Sequence, residues 1–399
     1  MSDLISRKEN ILQLSDKYLP EMLALRRHLH MYPELSKQEF ETTKSINQVL
    51  DHYGISRIPV SSQTGSAAEV KGKSNRTIAI RADIDALPIE EESDLEFRSK
   101  IPGVSHMCGH DVHTVISLGA ALILQELQED LPGNVRILFQ PAEEFEGGAE
   151  SMIDDGLLNG VSAIIGLHNT PDQEVGTIGI KEGFLMAGID DFIITIKGKG
   201  GHAGIPERTI DPIIIGSAVV TQLQTLVSRT ISPKESAVVT IGTFQAGRTN
   251  NVIPERAVLT GTVRTSSDTV RYKIRDEFVR LVTNQVHALG GEVEIDYQLL
   301  IPPVVNDPAI AAISRIAAVD IVGTKNVLAA EPTMGGDDFA LYQKVVPGCY
   351  AWLGSGNKEK GIDHGWHHPK FMVDEDAIKI GIQWMVHTVI RLLEDKSLT

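Results

Sequence analysis

Apolar side chains recur at helical spacing through residues 3–30, a stretch that ends in LRRHLH. A turn at Tyr32-Pro33-Glu34 separates this predicted helix from a second one running to about Tyr53. Beyond it the pattern changes to short unbroken apolar runs: Thr77–Arg81 (TIAIR), Val135–Phe139 (VRILF), Ala163–Leu167 (AIIGL) and Tyr350–Leu353 (YAWL). Such runs predict buried strands. A helical run from about His113 to Glu129 lies between the first two. Strands alternating with helices predict an α/β layer architecture.

The stretch from about Gly188 to Pro303 carries a different order. A strand at Asp191–Gly198 leads through GKGGHAG to a helix from about Asp211 to Arg229. Strands at Ala237–Phe244 and Ala257–Thr265 follow, then a helix from Asp268 to Leu289 and a strand at Glu292–Leu300. This β-α-β-β-α-β order is the ferredoxin-like split βαβ pattern, closed here by Pro302-Pro303. The expected organisation is therefore a catalytic domain in two parts, residues 1–187 and 304–399, with an inserted lid or dimerisation domain at 188–303.

Composition narrows the class. Hydrophobic residues are 42% and charged residues 23% of the 399, which suits a globular chain with a sizeable core. Lys+Arg is 37 against Asp+Glu 53, a formal net charge of −16. A field of that sign repels nucleic acid and anionic membranes, and leaves any anionic small molecule to be gripped by local Arg, His or metal. Two cysteines cannot form a disulfide framework in a chain this long, so a reducing compartment is expected. The first residues, MSDLISRKENILQLSDKYLP, lack the apolar core of a signal peptide. The longest apolar stretch, VISLGAALIL at Val115–Leu124, is about half a membrane span. A cytoplasmic protein is the expectation.

Each predicted strand of the first part runs directly into ionisable residues: TIAIR into Asp83 and Asp85, VRILF into Glu143 and Glu144, AIIGL into His168. Ligands of open α/β sheets bind beyond the carboxyl ends of strands, so this recurrence points to one site. In His106-Met-Cys108-Gly-His110-Asp111-Val-His113, a thiol and an imidazole two residues apart cannot share a helix face. They can converge from an extended turn before the helix near His113, and suit zinc or a neighbouring transition metal. A buried structural cysteine among surface histidines would account for Cys-x-His alone. In Gln140-Pro-Ala-Glu143-Glu144, adjacent carboxylates can divide labour between metal and proton transfer. His168 sits alone after its run, and His364-Gly-Trp-His367-His368-Pro369 holds paired histidines before a proline. Together these are a metal-site inventory.

The text RRHLHMYPELS at Arg26–Ser36, RADIDALPIEE at 81–91, HMCGHDVHT at 106–114, QPAEE at 140–144 and GLHN at 166–169 resembles the M20 peptidase family. GKGGHAGIP at 198–206, NVIPERAVLTGTVRT at 251–265, GGDDF at 335–339 and HHPKF at 367–371 continue the series in the family's order. The similarity is to its amidohydrolase branch, which includes N-acyl-amino-acid, hippurate and auxin-conjugate hydrolases. The resemblance implies a zinc-peptidase-like α/β catalytic domain with a ferredoxin-like insert, and a homodimer formed through that insert. It implies two divalent ions per subunit, of zinc, manganese, nickel or cobalt: Cys108 bridging both, His110 and Glu144 on one, His168 and His367 on the other. Glu143 would be the general base. Asp85 would orient a ligand, with Asp83 and His113 in the same role at less weight. His202 would donate to the oxyanion in a partner subunit's site, and Asn251 and Arg264 would hold the substrate carboxylate. One departure is visible: the family's usual Gly-Ser-Glu-Asp-Phe reads Gly335-Gly336-Asp337-Asp338-Phe339 here, which bears on substrate preference. The implied reaction is cleavage of the amide of an N-acyl-L-amino acid. Dipeptide hydrolysis, N-acetyl-diaminopimelate deacetylation and a non-catalytic metal scaffold are the alternatives.

Overall fold

The computed structural model describes residues 2–145 and 147–396. They divide into two compact units. One contains Met1–Gly183, Val305–Glu331 and Leu341–Thr399, and the other Phe184–Val304 and Pro332–Ala340.

The first unit is built on an eight-stranded mixed sheet. Its order is Ser56–Ile58, Ser66–Val70, Asn134–Gln140, Thr77–Asp83, Val161–Glu174, Gly348–Gly356, Ile178–Gly179 and Val327–Leu328. Thr77–Asp83 lies between Asn134–Gln140 and Val161–Glu174 and is parallel to both. The chain thus leaves Thr77–Asp83 toward one neighbour and later returns on the other side, a reversal that opens a crevice at the strands' carboxyl ends. All seven residues of Thr77–Asp83 are buried, as expected of a parallel strand covered on both faces.

The helix His110–Glu126 is buried from His110 to Leu124. A helix buried on every side belongs inside a core, and this one, apolar from Val115 to Leu124 but for Ser117, packs against Ser2–Met31 and Asp376–Glu394. Gly119 makes the approach possible: a Cβ there would lie 2.5 Å from Ile382 Cδ1 and 3.3 Å from Met22 Cγ. The helix starts at His110, three residues earlier than the sequence pattern predicts. Gly109, in the left-handed region at φ 85°, is its N-cap without a side-chain hydrogen bond, so the usual capping signal is missing from the sequence. The strand expected to stop at Leu167 continues through His168 to Glu174, because His168, Asn169 and Thr170 pair in parallel with Trp352, Leu353 and Gly354.

The second unit has a four-stranded antiparallel sheet in the order Ala237–Ala246, Arg256–Thr265, Gly188–Lys197, Glu292–Ile301. In chain order these are strands 2-3-1-4, the ferredoxin-like arrangement. The helices Pro212–Thr225 and Asp268–Ala288 pack on each other and on this sheet. Phe192, Ile194, Ile196, Leu259, Val263, Ile274 and Phe278 make the shared core. Strand Gly188–Lys197 alternates buried and more open positions along its length, the period of a sheet with one covered face. Pro332–Ala340 joins this unit through Thr333 N–H to Leu185 O (2.9 Å) and Ala187 N–H to Gly335 O (2.8 Å).

Candidate functional site

Three parallel strands and two loops of the first unit deliver their polar residues to one place. Asp83 ends Thr77–Asp83, and Asp85 follows it. Gln140 ends Asn134–Gln140, and the chain then turns through Ala142 at φ 52°, an uncommon left-handed position for a residue with a Cβ. The Ala142 N–H donates to Glu39 Oε1 at 2.8 Å, which fixes the turn that presents Glu143 and Glu144. His367 also has positive φ, 61°. Its N–H donates to Met107 O at 2.8 Å, stitching the His364–Pro369 loop to the residue before Cys108.

The side chains so placed form overlapping donor groups whose atoms lie within 4.8 Å of one another: Cys108–His110–His168, Cys108–Glu144–His367, and His110–Glu143–Glu144. Cys108 Sγ is 3.4 Å from His168 Nε2. His367 Nε2 and His110 Nε2 lie 3.4 Å and 3.9 Å from Glu144 Oε1. Among the described residues, the buried His110 Nε2 and Glu144 Oε1 have no hydrogen-bond partner, although buried polar atoms are nearly always paired. Their companions are occupied. His110 Nδ1 faces Asp85 Oδ1 at 3.2 Å, and His168 Nδ1 donates to the Asn169 carbonyl at 2.7 Å. Each imidazole thus turns Nε2 toward the cluster. Thiol, imidazole and carboxylate converging with unpaired lone pairs suit one or more divalent transition ions.

Asp85 also accepts from Ser36 Oγ at 2.6 Å and from the Glu144 N–H at 3.0 Å, so one carboxylate touches an imidazole and the main chain of the neighbouring acid. Behind it, Asp83 Oδ1 accepts from His113 Nδ1 at 2.5 Å, and Asp83 Oδ2 is paired with Arg81 at 2.6 Å. Burial opposes ionisation of Asp83, but His110, Arg81 and the hydrogen bond from His113 outweigh it and hold its carboxyl well below the usual range. Burial keeps His168 well below the ordinary histidine value, hence neutral, as a ligand must be. Burial also acts to lower His110, yet Asp83, Asp85 and Glu144 push it up to about 10. Burial, with Glu144, Glu143 and Asp83 nearby, pushes the Cys108 thiol well up. A cation among these donors reverses both of the last two fields, favouring thiolate and neutral imidazole.

His106, in the same motif, stays outside the cluster. It is buried, neither ring nitrogen is hydrogen-bonded among the described residues, and burial lowers it to about 4. Local sequence gives little sign of the roles of Asn169, which bonds His168 Nδ1 and the Cys108 carbonyl, of Ser36, which donates to Asp85, or of Trp366, which donates to the Asn169 carbonyl. Only the position of Asn169 directly after His168 offered a hint.

In the second unit, His202 is exposed on the short strand Gly201–His202, paired with Val252–Ile253. Its Nδ1 accepts from the Gly204 N–H at 3.0 Å, leaving Nε2 as the ring's outward donor. Asn251 lies beside it, its carbonyl accepting from the Ala203 N–H at 3.1 Å. Half-buried Arg264 stands on Arg256–Thr265, opposite Ile189 and Val238. At Gly336 a Cβ would lie 2.4 Å from the Ile189 side chain and 2.9 Å from Ala187 O, so that position has no room for a side chain. Asp337 Oδ1 accepts from the Phe339 N–H at 2.8 Å.

Among the described residues no helix is long and apolar enough to cross a membrane. Residues 79–391 match the model of peptidase family M20/M25/M40. The chain is 44% identical to N-acetyl-L-cysteine deacetylase of Bacillus subtilis over 94% of its own length and 89% of that protein. It is 37% identical to IAA-amino acid hydrolase ILR1-like 5 of Arabidopsis thaliana, over 99% of this chain and 92% of the other. The crystal structure of Bacillus subtilis YXEP, described as a dinuclear metal-binding peptidase of the M20 family, superposes with a TM-score of 0.84. That match has 40% identity and covers 95% of this chain and 99% of YXEP.

Proposed function

The chain belongs to peptidase family M20/M25/M40 and is a metal-dependent amide hydrolase, and from that premise we propose that it cleaves the amide bond of N-acyl-L-amino acids, N-acetyl derivatives first among them. The observation that carries this reading is the unpaired His110 Nε2 and Glu144 Oε1, buried among a thiol and two more imidazoles at the carboxyl ends of parallel strands. The likeness to a deacetylase of N-acetylcysteine and to hydrolases of auxin conjugates supports an acyl-amino-acid substrate.

In this reading Cys108, His110, Glu144, His168 and His367 hold two divalent ions. When bound, such a pair supplies Lewis acidity, drawing electron density from the scissile carbonyl and making water acidic enough to lose a proton near neutral pH. Glu143 takes that proton and passes it to the leaving amine. Asp85 keeps the His110 ring and the Glu144 main chain in place. His202, with its proton on the outward Nε2, donates to the oxyanion in the site of a partner subunit, the arrangement of a homodimer. Asn251 and Arg264 hold the substrate carboxylate. Burial lowers the Arg264 pKa from its ordinary value, and its planar fork remains suited to a bidentate grip.

The test is amine release from N-acetyl, N-benzoyl and indole-acetyl amino acids, N-acetylcysteine, dipeptides and N-acetyl-diaminopimelate. Each is assayed with added Zn²⁺, Mn²⁺, Co²⁺ or Ni²⁺ and again with a chelator. Chelator-sensitive release from N-acetyl amino acids is the expected outcome. Activity confined to substrates with a free α-amino group would replace this reading with a dipeptidase.

A further inference from the structure

We propose that Asn169 is a positioning residue that sets Cys108 and His168 as a ligand pair, an inference that rests on the metal-dependent reading above. The residue works from both its main chain and its side chain. Its carbonyl accepts from His168 Nδ1 at 2.7 Å and from the indole Nε1 of Trp366 at 2.8 Å. That keeps the His168 proton on Nδ1 and aims the Nε2 lone pair at the cluster, 3.4 Å from Cys108 Sγ. Its side-chain nitrogen has two hydrogens and two acceptors within reach, the Cys108 carbonyl at 2.8 Å and His113 Nε2 at 2.9 Å.

The orientation of that amide is determined by its surroundings. His113 Nε2 also accepts the Asn169 main-chain N–H at 3.0 Å, so this nitrogen is an acceptor and the imidazole proton lies on Nδ1, on Asp83. The Cys108 carbonyl at 2.8 Å and the His113 lone pair at 2.9 Å would both repel an amide oxygen, so the nitrogen end faces them, donating to the carbonyl and sharing the His113 lone pair with the main-chain N–H. The oxygen end faces Ser355 Oγ at 3.4 Å. The Cys108-Gly109 segment closes directly over this nitrogen. A Cβ on Gly109, already at φ 85°, would lie 2.2 Å from it. Asn169 is fully buried, so no water replaces a lost donor without rearrangement. Partners of metal ligands fix ring orientation and ligand basicity. Here one residue fixes the ring of one ligand and the main chain that carries the other, and its carbonyl also holds Trp366, the neighbour of His367.

The experiment titrates the full-length, metal-stripped protein with Co²⁺, reading stoichiometry, affinity and the thiolate-to-cobalt charge-transfer band. Wild type is expected to take up two ions and show the band. Asn169→Ala removes both donors and leaves a small cavity, while Asn169→Asp keeps the shape and replaces the donors with acceptors. Each is expected to weaken at least one ion by about 10–100-fold, the usual scale for losing such a partner, and to shift the band. The circular dichroism of the metal-free protein should stay unchanged. Cys349→Ala, a buried change on the adjacent strand away from these hydrogen bonds, measures the effect of loosened packing alone. The proposal is overturned if both Asn169 variants bind as wild type. It is overturned equally if only one is weakened, since a cavity or a charge would then suffice, or if Cys349→Ala weakens binding as much. A wild type that takes up no Co²⁺ would instead overturn the metal-dependent reading on which the proposal stands.

Discussion

Asp85→Asn swaps one oxygen for a nitrogen at a residue that now only accepts. Asp85 Oδ1 faces His110 Nδ1, and Oδ2 accepts from the Glu144 N–H and Ser36 Oγ. An amide in this place has two orientations, and both fail. With its oxygen toward the Glu144 N–H, its NH₂ meets His110 Nδ1 and forces the imidazole proton onto Nε2, where a ligand needs a lone pair. With its oxygen toward His110, its NH₂ opposes the Glu144 N–H and leaves that buried donor unpaired. In the first orientation metal binding must move the proton back to Nδ1 against an amide donor and lose that hydrogen bond, about 1–3 kcal/mol, or about 5–150-fold in metal affinity at ~1.4 kcal/mol per tenfold. In the second the main chain that presents Glu144 loses its anchor. Ser36→Ala removes one donor and keeps the carboxylate, so its effect should be smaller. The assay is amine release against buffered free metal. Asp85→Asn should need a higher metal concentration for half-activation and should recover most of its kcat at saturation. Unchanged half-activation with a collapsed kcat would refute the reasoning, because Asp85 would then act in the chemistry rather than on the ligand.

Glu143→Ala should retain its metal by elemental analysis while kcat falls by about 10²–10⁴-fold, the range for losing a general acid–base group; near-normal turnover would remove Glu143 from that role. Asp374 is buried and accepts from Asn357 Nδ2 at 2.7 Å and Lys360 Nζ at 2.8 Å. Burial raises its pKa, but these bonds and the Asp376 N–H outweigh that and bring it below the ordinary value. A depressed carboxylate stabilises the fold above its unfolded pKa of about 3.9, and loses that contribution as pH falls through the folded value. Asp374→Asn should therefore cost about 1–3 kcal/mol in urea unfolding at pH 7, with the difference from wild type shrinking below about pH 4; a pH-independent difference would contradict this assignment. Gly119→Ala puts a methyl group into Ile382 and Met22 and should destabilise by about 1–3 kcal/mol, read as a lower urea midpoint with unchanged slope.

The second unit was legible because its strands and helices carry distinct periods, and the ferredoxin-like order follows from their sequence. Four strands of the first unit's sheet, Thr77–Asp83, Asn134–Gln140, Val161–Glu174 and Gly348–Gly356, were legible as apolar runs, but their ends were not. The short strands Ser56–Ile58, Ser66–Val70, Ile178–Gly179 and Val327–Leu328 have no such run to mark them. Strand Val161–Glu174 continues through HNTPDQE, polar residues held by pairing with Gly348–Gly356, whose letters lie far along the chain. The start of the helix at His110 was hidden for another reason: Gly109 caps it by backbone conformation, with no Ser, Thr, Asp or Asn to mark it. Two helices absent from the sequence expectations carry plain signals. Pro308–Val322 opens with Asp307 accepting from Ala309 and Ile310 N–H, followed by proline at its first position. Asp376–Glu394 has an evident apolar stripe. The chemistry-bearing residues stood out by type, and Cys108, His110, Glu143, Glu144, His168 and His367 do come together. The backing of Asp85 by Ser36 is a contact between residues 49 apart, and no local pattern announces it.

The interruption of the first unit's sheet has a consequence for how the chain is made. Strand Gly348–Gly356 pairs along the length of Val161–Glu174, yet the ribosome reaches it only after producing the ferredoxin-like unit in between. At ~5–20 residues per second, synthesis of the intervening stretch takes on the order of 10–30 s. During that interval the ferredoxin-like sheet has all four of its strands in hand and can close. Val161–Glu174 meanwhile presents an unpaired edge, a state prone to association with other chains. His367 emerges later still, so the nascent chain carries Cys108, His110 and His168 before the last donor exists. Completion of the sheet and completion of the donor set are therefore nearly simultaneous events in synthesis.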